Sequence, residues 1–162
     1  MLIKSGHKHV SLMIIVLAGL CGGIAEVLWV TLYSSLTGIS AVEIARQITA
    51  TVLPAMADGA LAPAAGVLIH MLLSVALGAV FAWAAWRFFL CRFGARGIMP
   101  LALVTLALVW AMNFLVILPA LNPAFVTLMP YGATLASKLL FGISMAWVFR
   151  QDTLHRAVIR RD

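Results

Sequence analysis

The chain has 162 residues, of which 64% are hydrophobic and 10% charged, with a net charge of +6. A soluble domain holds roughly 25% charged residues; here the charges cluster and leave long apolar runs, which excludes a soluble globular protein and, at this length, a separate soluble domain. The basic excess falls in short loops and tails, where it acts as a set of topology signals and not as a nucleic-acid surface.

The N-terminal tail carries Lys4 and Lys8, with His7 and His9 as a His-x-His pair that lacks a third metal ligand. The apolar run that follows resembles a signal peptide at its start. It continues to about Tyr33, too long for a cleaved segment, so residues 10–34 are expected to form a first spanning helix. Cys21 lies within it, and Leu20 occupies the position where a lipoprotein cleavage site needs a small residue. Residues 35–60 hold a capping box, Ser40 followed by Glu43, which predicts a helix over 41–55 limited by Pro54. Ala41, Ile44, Ile48, Val52 and Ala55 share one face of it, and Glu43, Arg46 and Gln47 the other. Such a helix either lies along the outer membrane surface or packs across the outer end of a bundle.

Three more runs, 61–87, 98–119 and 129–149, are long enough to cross a bilayer, which takes ~20 helical residues. They are continuous and not alternating, so barrel strands are excluded. The basic loop 88–97 carries Cys91, and with Cys21 inside a span no structural disulfide is expected. Residues 120–130 are uncharged and broken by Pro123 and Pro130, with Pro119 just before them. They cannot form one regular helix, and they are expected to sit at or dip into the membrane interface.

Placing both termini and the 88–97 loop in the cytoplasm collects Lys4, Lys8, Arg87, Arg92, Arg96, Arg150, Arg156, Arg160 and Arg161 on that side and leaves Arg46 on the other. This bias predicts cytoplasmic termini. Trp29, Tyr33 and Tyr131 then fall toward the outer interface, and Trp83, Trp86 and Trp147 toward the inner one. The expected fold is an all-α integral membrane protein: one four-helix transmembrane bundle with an outer-side amphipathic interfacial helix.

Each span contains one strongly polar residue: Glu26, His70, Asn113 and Lys138. All four lie roughly 9–14 Å from the outer ends of their spans, at ~1.5 Å per residue. Gly19, Gly22 and Gly23 share a face with Glu26, and Gly19 with Gly23 forms a GxxxG. Gly66, Ser74 and Gly78 share a stripe with His70, and Gly142 and Ala146 with Lys138. Small residues mark the packed side of a membrane helix, so these three ionisable groups point inward. Asn113 has bulky neighbours, Trp110 and Ile117, and its direction is open. An unpaired charge at a helix centre costs ~2.5–3.5 kcal/mol on insertion scales, which predicts a Glu26–Lys138 pair with Asn113 and His70 filling the remaining bonds. The layer serves either to fix helix register or as a binding or proton-handling site.

No phosphate loop, zinc motif or nucleophile elbow is present. Met71, Met112, Met129 and Met145 are the gap-fillers usual in apolar helices. Together with His70 and Cys21 they lack the spacing of a copper site, and a haem held by two histidines would require another subunit. No cofactor, metal or catalytic activity is expected. The expected partners are the lipid bilayer and either further copies of the chain or a larger membrane complex.

The segments GGIAEVLWVTLY, LPALNPAF and PYGATLASKLLFG resemble a group of small four-span bacterial inner-membrane proteins, some of them labelled sodium:proline symporters. The resemblance covers most of the chain and implies a multi-pass protein of the bacterial inner membrane. Symporters of that name have many more spans and sites built from broken helices, a plan this sequence does not follow. Four spans with a glutamate in the first are also similar in plan to the small multidrug resistance family, in which a glutamate exchanges protons for cationic drugs. Lys138 at similar depth would compete with such a substrate. The sequence therefore favours an accessory or structural membrane component, with a small transporter or proton-coupled unit using Glu26, His70 and Lys138 as the alternative.

Overall fold

The computed structural model describes residues 10–89 and 94–158. Lys4, His7, Lys8, His9, Cys91, Arg92, Arg160 and Arg161 lie outside them, and so does any structural account of the tail histidines or of Cys91. The regular structure among the described residues is helical. Helix α1 spans Leu12–Thr37 and stops at Gly38, whose φ of 77° is left-handed and whose N–H donates to the Ser34 carbonyl. Glycine adopts that conformation without a Cβ penalty, and this gives the first helix a sharp end.

Helix α2, Ala41–Val52, begins at the predicted cap, with the Ser40 hydroxyl accepting from the Glu43 N–H at 3.2 Å. It ends before Pro54, which opens a single tight turn, Pro54–Met56. Helix α3 runs over Ala62–Ala84 and widens in a last turn, Ala85–Phe89. Helix α4 covers Ile98–Met112, passes through a wide turn at Asn113–Ile117 and resumes over Leu118–Leu121. In a regular helix the ring of Pro119 would crowd the carbonyl four residues back. The wide turn lies immediately before it and supplies the room. Short helix α5, Pro123–Leu128, and long helix α6, Tyr131–Val158, complete the chain.

Four segments, Leu12–Thr37, Ala62–Phe88, Gly94–Leu121 and Tyr131–His155, are long and apolar enough to cross a membrane. α6 continues past the expected boundary at 149 through Arg150, Asp152 and His155, because charge ends an apolar span without ending a helix.

Helix α1 lies between α3 and α6, and α4 packs on the far side of α6. Two small faces of α1 make this central position available. A Cβ on Gly19 would come within 2.7 Å of the Ser74 backbone oxygen, and one on Gly23 equally close to the Ser74 hydroxyl, so these glycines receive α3. Gly22 points elsewhere, against the Phe141 ring of α6. The start of α1, the end of α3, the start of α4 and the second half of α6 then meet in one core around Ala18, Phe81, Ile98, Met145 and Phe149. That core places the described start and end of the chain and both flanks of residues 90–93 at one end of the bundle. Much of the outer surface is apolar, with Leu17, Leu28, Leu68, Leu72, Val104 and Leu108 exposed.

Helix α2 is docked on α3. Ile44, Ala45 and Thr49 are buried, Thr49 Oγ1 donates to the Ala62 carbonyl at 2.6 Å, and Gly66 lies against the Ala45 backbone. Of the apolar face read from the sequence, Ile44 is buried while Val52 and Ala55 are exposed. The true contact stripe is set by small residues, Ala45 and Thr49 against Ala62 and Gly66, that let backbones approach. Gly66 therefore serves the α2 contact, although it shares a stripe with His70.

Asn122, at the break between α4 and α5, ties the same end together. Its Oδ1 accepts from the Phe125 N–H and caps α5, while its amide nitrogen lies 2.9 Å from Gln47 Oε1, 3.1 Å from Thr51 Oγ1 and 3.3 Å from the Gln47 carbonyl oxygen. Asn122→Ala is expected to cost about 1–2 kcal/mol, the worth of a lost cap together with lost side-chain bonds. Hydrogen exchange should accelerate in α2 and α5 and stay unchanged in the α1–α6 contact.

Candidate functional site

The polar layer is built where α1 meets α3 and α6. α1 contributes Glu26, set one turn beyond the glycines that draw its neighbours in, and the residue is 8% exposed. α6 contributes Lys138, whose Nζ lies 2.8 Å from Glu26 Oε2. The adjacent Ser137 is buried; its hydroxyl lies 3.2 Å from Glu26 Oε1 and 2.8 Å from the Thr134 carbonyl, with one hydrogen to share between the two acceptors. Both carboxylate oxygens thus have a partner from α6. The Lys138 ammonium also stands 5.7 Å from the centroid of the Phe141 ring, a distance at which the aromatic face attracts a cation.

α3 contributes His70. Its Nε2 is 3.4 Å from the Gly23 carbonyl and 3.9 Å from Glu26 Oε2, the oxygen that Lys138 already holds. Two acceptor oxygens face this nitrogen, an arrangement that suits the tautomer with its hydrogen on Nε2. Ser74, one turn on, donates to the His70 carbonyl at 2.7 Å. The side chains of Glu26, Lys138 and His70 retain 11%, 13% and 15% exposure, so the layer is nearly closed but not sealed.

Asn113 does not join this layer. It is half-buried at the first position of the wide turn in α4 and makes no side-chain hydrogen bond among the described residues. α4 packs chiefly on α6, and equal depth did not bring Asn113 into hydrogen-bond reach of Glu26. The expectation that Asn113 would satisfy the pair is corrected: Ser137 fills that place. The sequence held one signal for it, a small hydroxyl residue directly beside the lysine with another, Thr134, one turn earlier. Gly142, from the lysine's own stripe, faces Leu106 and Ala102 of α4, so it packs the outer pair of helices.

Two tryptophans outside the predicted layer fasten the same end of α6. Trp29 Nε1 donates to the Ala133 carbonyl and Trp110 Nε1 to Thr134 Oγ1, both at 2.9 Å. Away from the layer, Arg46 lies 3.5 Å from Glu43 and donates to the Ala57 and Gly59 carbonyls, closing the turn after α2. Cys21 is exposed and carries a free thiol. Among the described residues no three His, Cys, Asp or Glu side chains gather as a metal-binding group. Two open surface depressions, about 500 Å³ beside Ile39 and Tyr131 and about 280 Å³ beside Ala55 and Leu61, involve none of the layer residues.

Chemically, the arrangement is a buried carboxylate paired with one ammonium, with an imidazole as second neighbour. It can hold three helices in register, and it can bind a proton. No protein family, curated protein or solved structure matches the chain.

Proposed function

We propose that this chain is a multi-pass protein of the bacterial inner membrane, with both termini in the cytoplasm, acting as a non-catalytic accessory or structural component, alone in several copies or within a larger membrane complex. One observation carries the reading: Glu26 has both carboxylate oxygens engaged by Lys138 and Ser137 of the same chain. A charge-neutral layer completed from within needs no substrate or cofactor to be stable. Its position, directly beyond the GxxxG contact, suits a device that fixes how far each helix slides along α1. The apolar exterior supports the lipid setting, and the basic residues gathered by sequence near the terminal end support the orientation.

Reporter fusions at residue 162 are expected to register a cytoplasmic C-terminus. Purified protein in vesicles with a trapped pH-sensitive dye is expected to give no proton or solute flux above protein-free vesicles. Flux that disappears on Glu26→Gln would replace the structural reading with transport.

A further inference from the structure

The layer contains one basic group more than its charge requires. Glu26 Oε2 has two basic neighbours on different helices: the Lys138 ammonium at 2.8 Å and His70 Nε2 at 3.9 Å. With Lys138 charged the pair is already neutral, so the imidazole can remain uncharged and rest its N–H toward the Gly23 carbonyl. We propose that His70 is a reserve cation, which makes the layer a one-proton binding site in which Glu26 pairs either with Lys138 or with protonated His70. The assignment rests on the buried layer described above and adds to it a ligand, the proton, and a residue that receives it.

The surroundings of His70 support this role. From α1 the charged group that faces it is Glu26, and from α6 it is Lys138. α2, packed on another side of α3, buries Ile44, Ala45 and Thr49 there and pairs its own Glu43 with Arg46. The choice of charged partner for Glu26 is therefore made between two side chains, Lys138 and His70. Ser74, bonded to the His70 backbone, and Gly23, against which the ring rests, hold the imidazole near the carboxylate.

The test uses the full chain in micelles. In Lys138→Met, Glu26 loses its ammonium, and a proton taken up by the folded state stabilises it as pH falls. The unfolding midpoint should rise by roughly 3 °C or more, the scale of one charge interaction in a protein of this size, between about pH 8 and about pH 6, a span that brackets free histidine. Glu26 itself could take the proton instead, and Lys138→Met combined with His70→Gln separates the two. The proposal expects the acid rescue to vanish in that double variant. It also expects nitrogen chemical shifts in Lys138→Met at about pH 6 to report both ring nitrogens of His70 protonated. Rescue that persists in the double variant, or a neutral His70 ring, overturns it. Should Lys138→Met not fold, Lys138→Gln, which keeps a donor within reach of Glu26, carries the same measurements. A Glu26–Lys138 pair without energetic coupling would sink the structural clamp itself, whereas persistent rescue sinks only the role of His70.

Discussion

Glu26→Gln and Lys138→Met are each expected to destabilise the protein by about 3–5 kcal/mol, the scale for removing one partner of a buried ion pair. The double substitution is expected to cost far less than the two together. The single changes are harmful for a reason beyond the lost attraction. Without Glu26 the Lys138 ammonium remains buried beside the Phe141 ring without its carboxylate, and without Lys138 the carboxylate at about pH 8 keeps one hydroxyl and an imidazole not yet protonated. Removing both charges leaves nothing to compensate, because Ser137 can still bond to the Thr134 carbonyl and His70 to that of Gly23. Denaturation in mixed micelles of the four proteins in this cycle measures the coupling directly. Strict additivity would mean that the two groups do not act on each other.

The second large effect comes from a methyl group. Gly19→Ala is expected to cost about 1–3 kcal/mol, the usual penalty for overpacking a tight contact. The added Cβ would lie 2.6 Å from Val75 Cα and 2.7 Å from the Ser74 carbonyl oxygen. Both are backbone atoms, so no rotamer change relieves the clash and α3 must move as a body. Such a movement also withdraws His70 from Glu26, so the layer should loosen with it. Gly132→Ala is the control: nothing stands within 4 Å of the added carbon, and no loss is expected. Thermal unfolding of the two variants in the same detergent distinguishes a packing glycine from one that only fills the chain. Equal behaviour would remove the claim that the GxxxG sets the α1–α3 distance.

The legibility of the layer in the sequence was uneven, and particular residues show why. Glu26, His70 and Lys138 were identifiable because a charge or imidazole in an apolar run is costly, and glycines one turn away fixed their direction. Depth, however, is a coordinate along each helix and carries no information about which helices are neighbours. Asn113 has the right depth on the wrong helix, since α4 packs chiefly against α6, while Glu26 lies where α1 meets α3 and α6. Ser137 was hidden for the opposite reason, being a small hydroxyl that costs little anywhere and gains its role only from facing a carboxylate. The α2 contact was not legible on similar grounds. Periodicity picks out the large apolar residues, but Ala45 and Thr49 dock because Gly66 lets the backbones come close.

By itself the sequence determined the number and approximate placement of the long helices, the capped start of α2 at Ser40 and the presence of inward-facing charge. These follow from local quantities: hydropathy over about twenty residues, hydrogen bonds within one turn, and small residues spaced by the helical repeat. Only the tertiary structure decided that α1 is central, that its Gly19–Gly23 face receives α3 while Gly22 receives α6, and that Glu26 consequently stands between Lys138 and His70. The order of helices around a bundle depends on which surfaces fit at close range, a property of pairs of helices that no single stretch of chain contains.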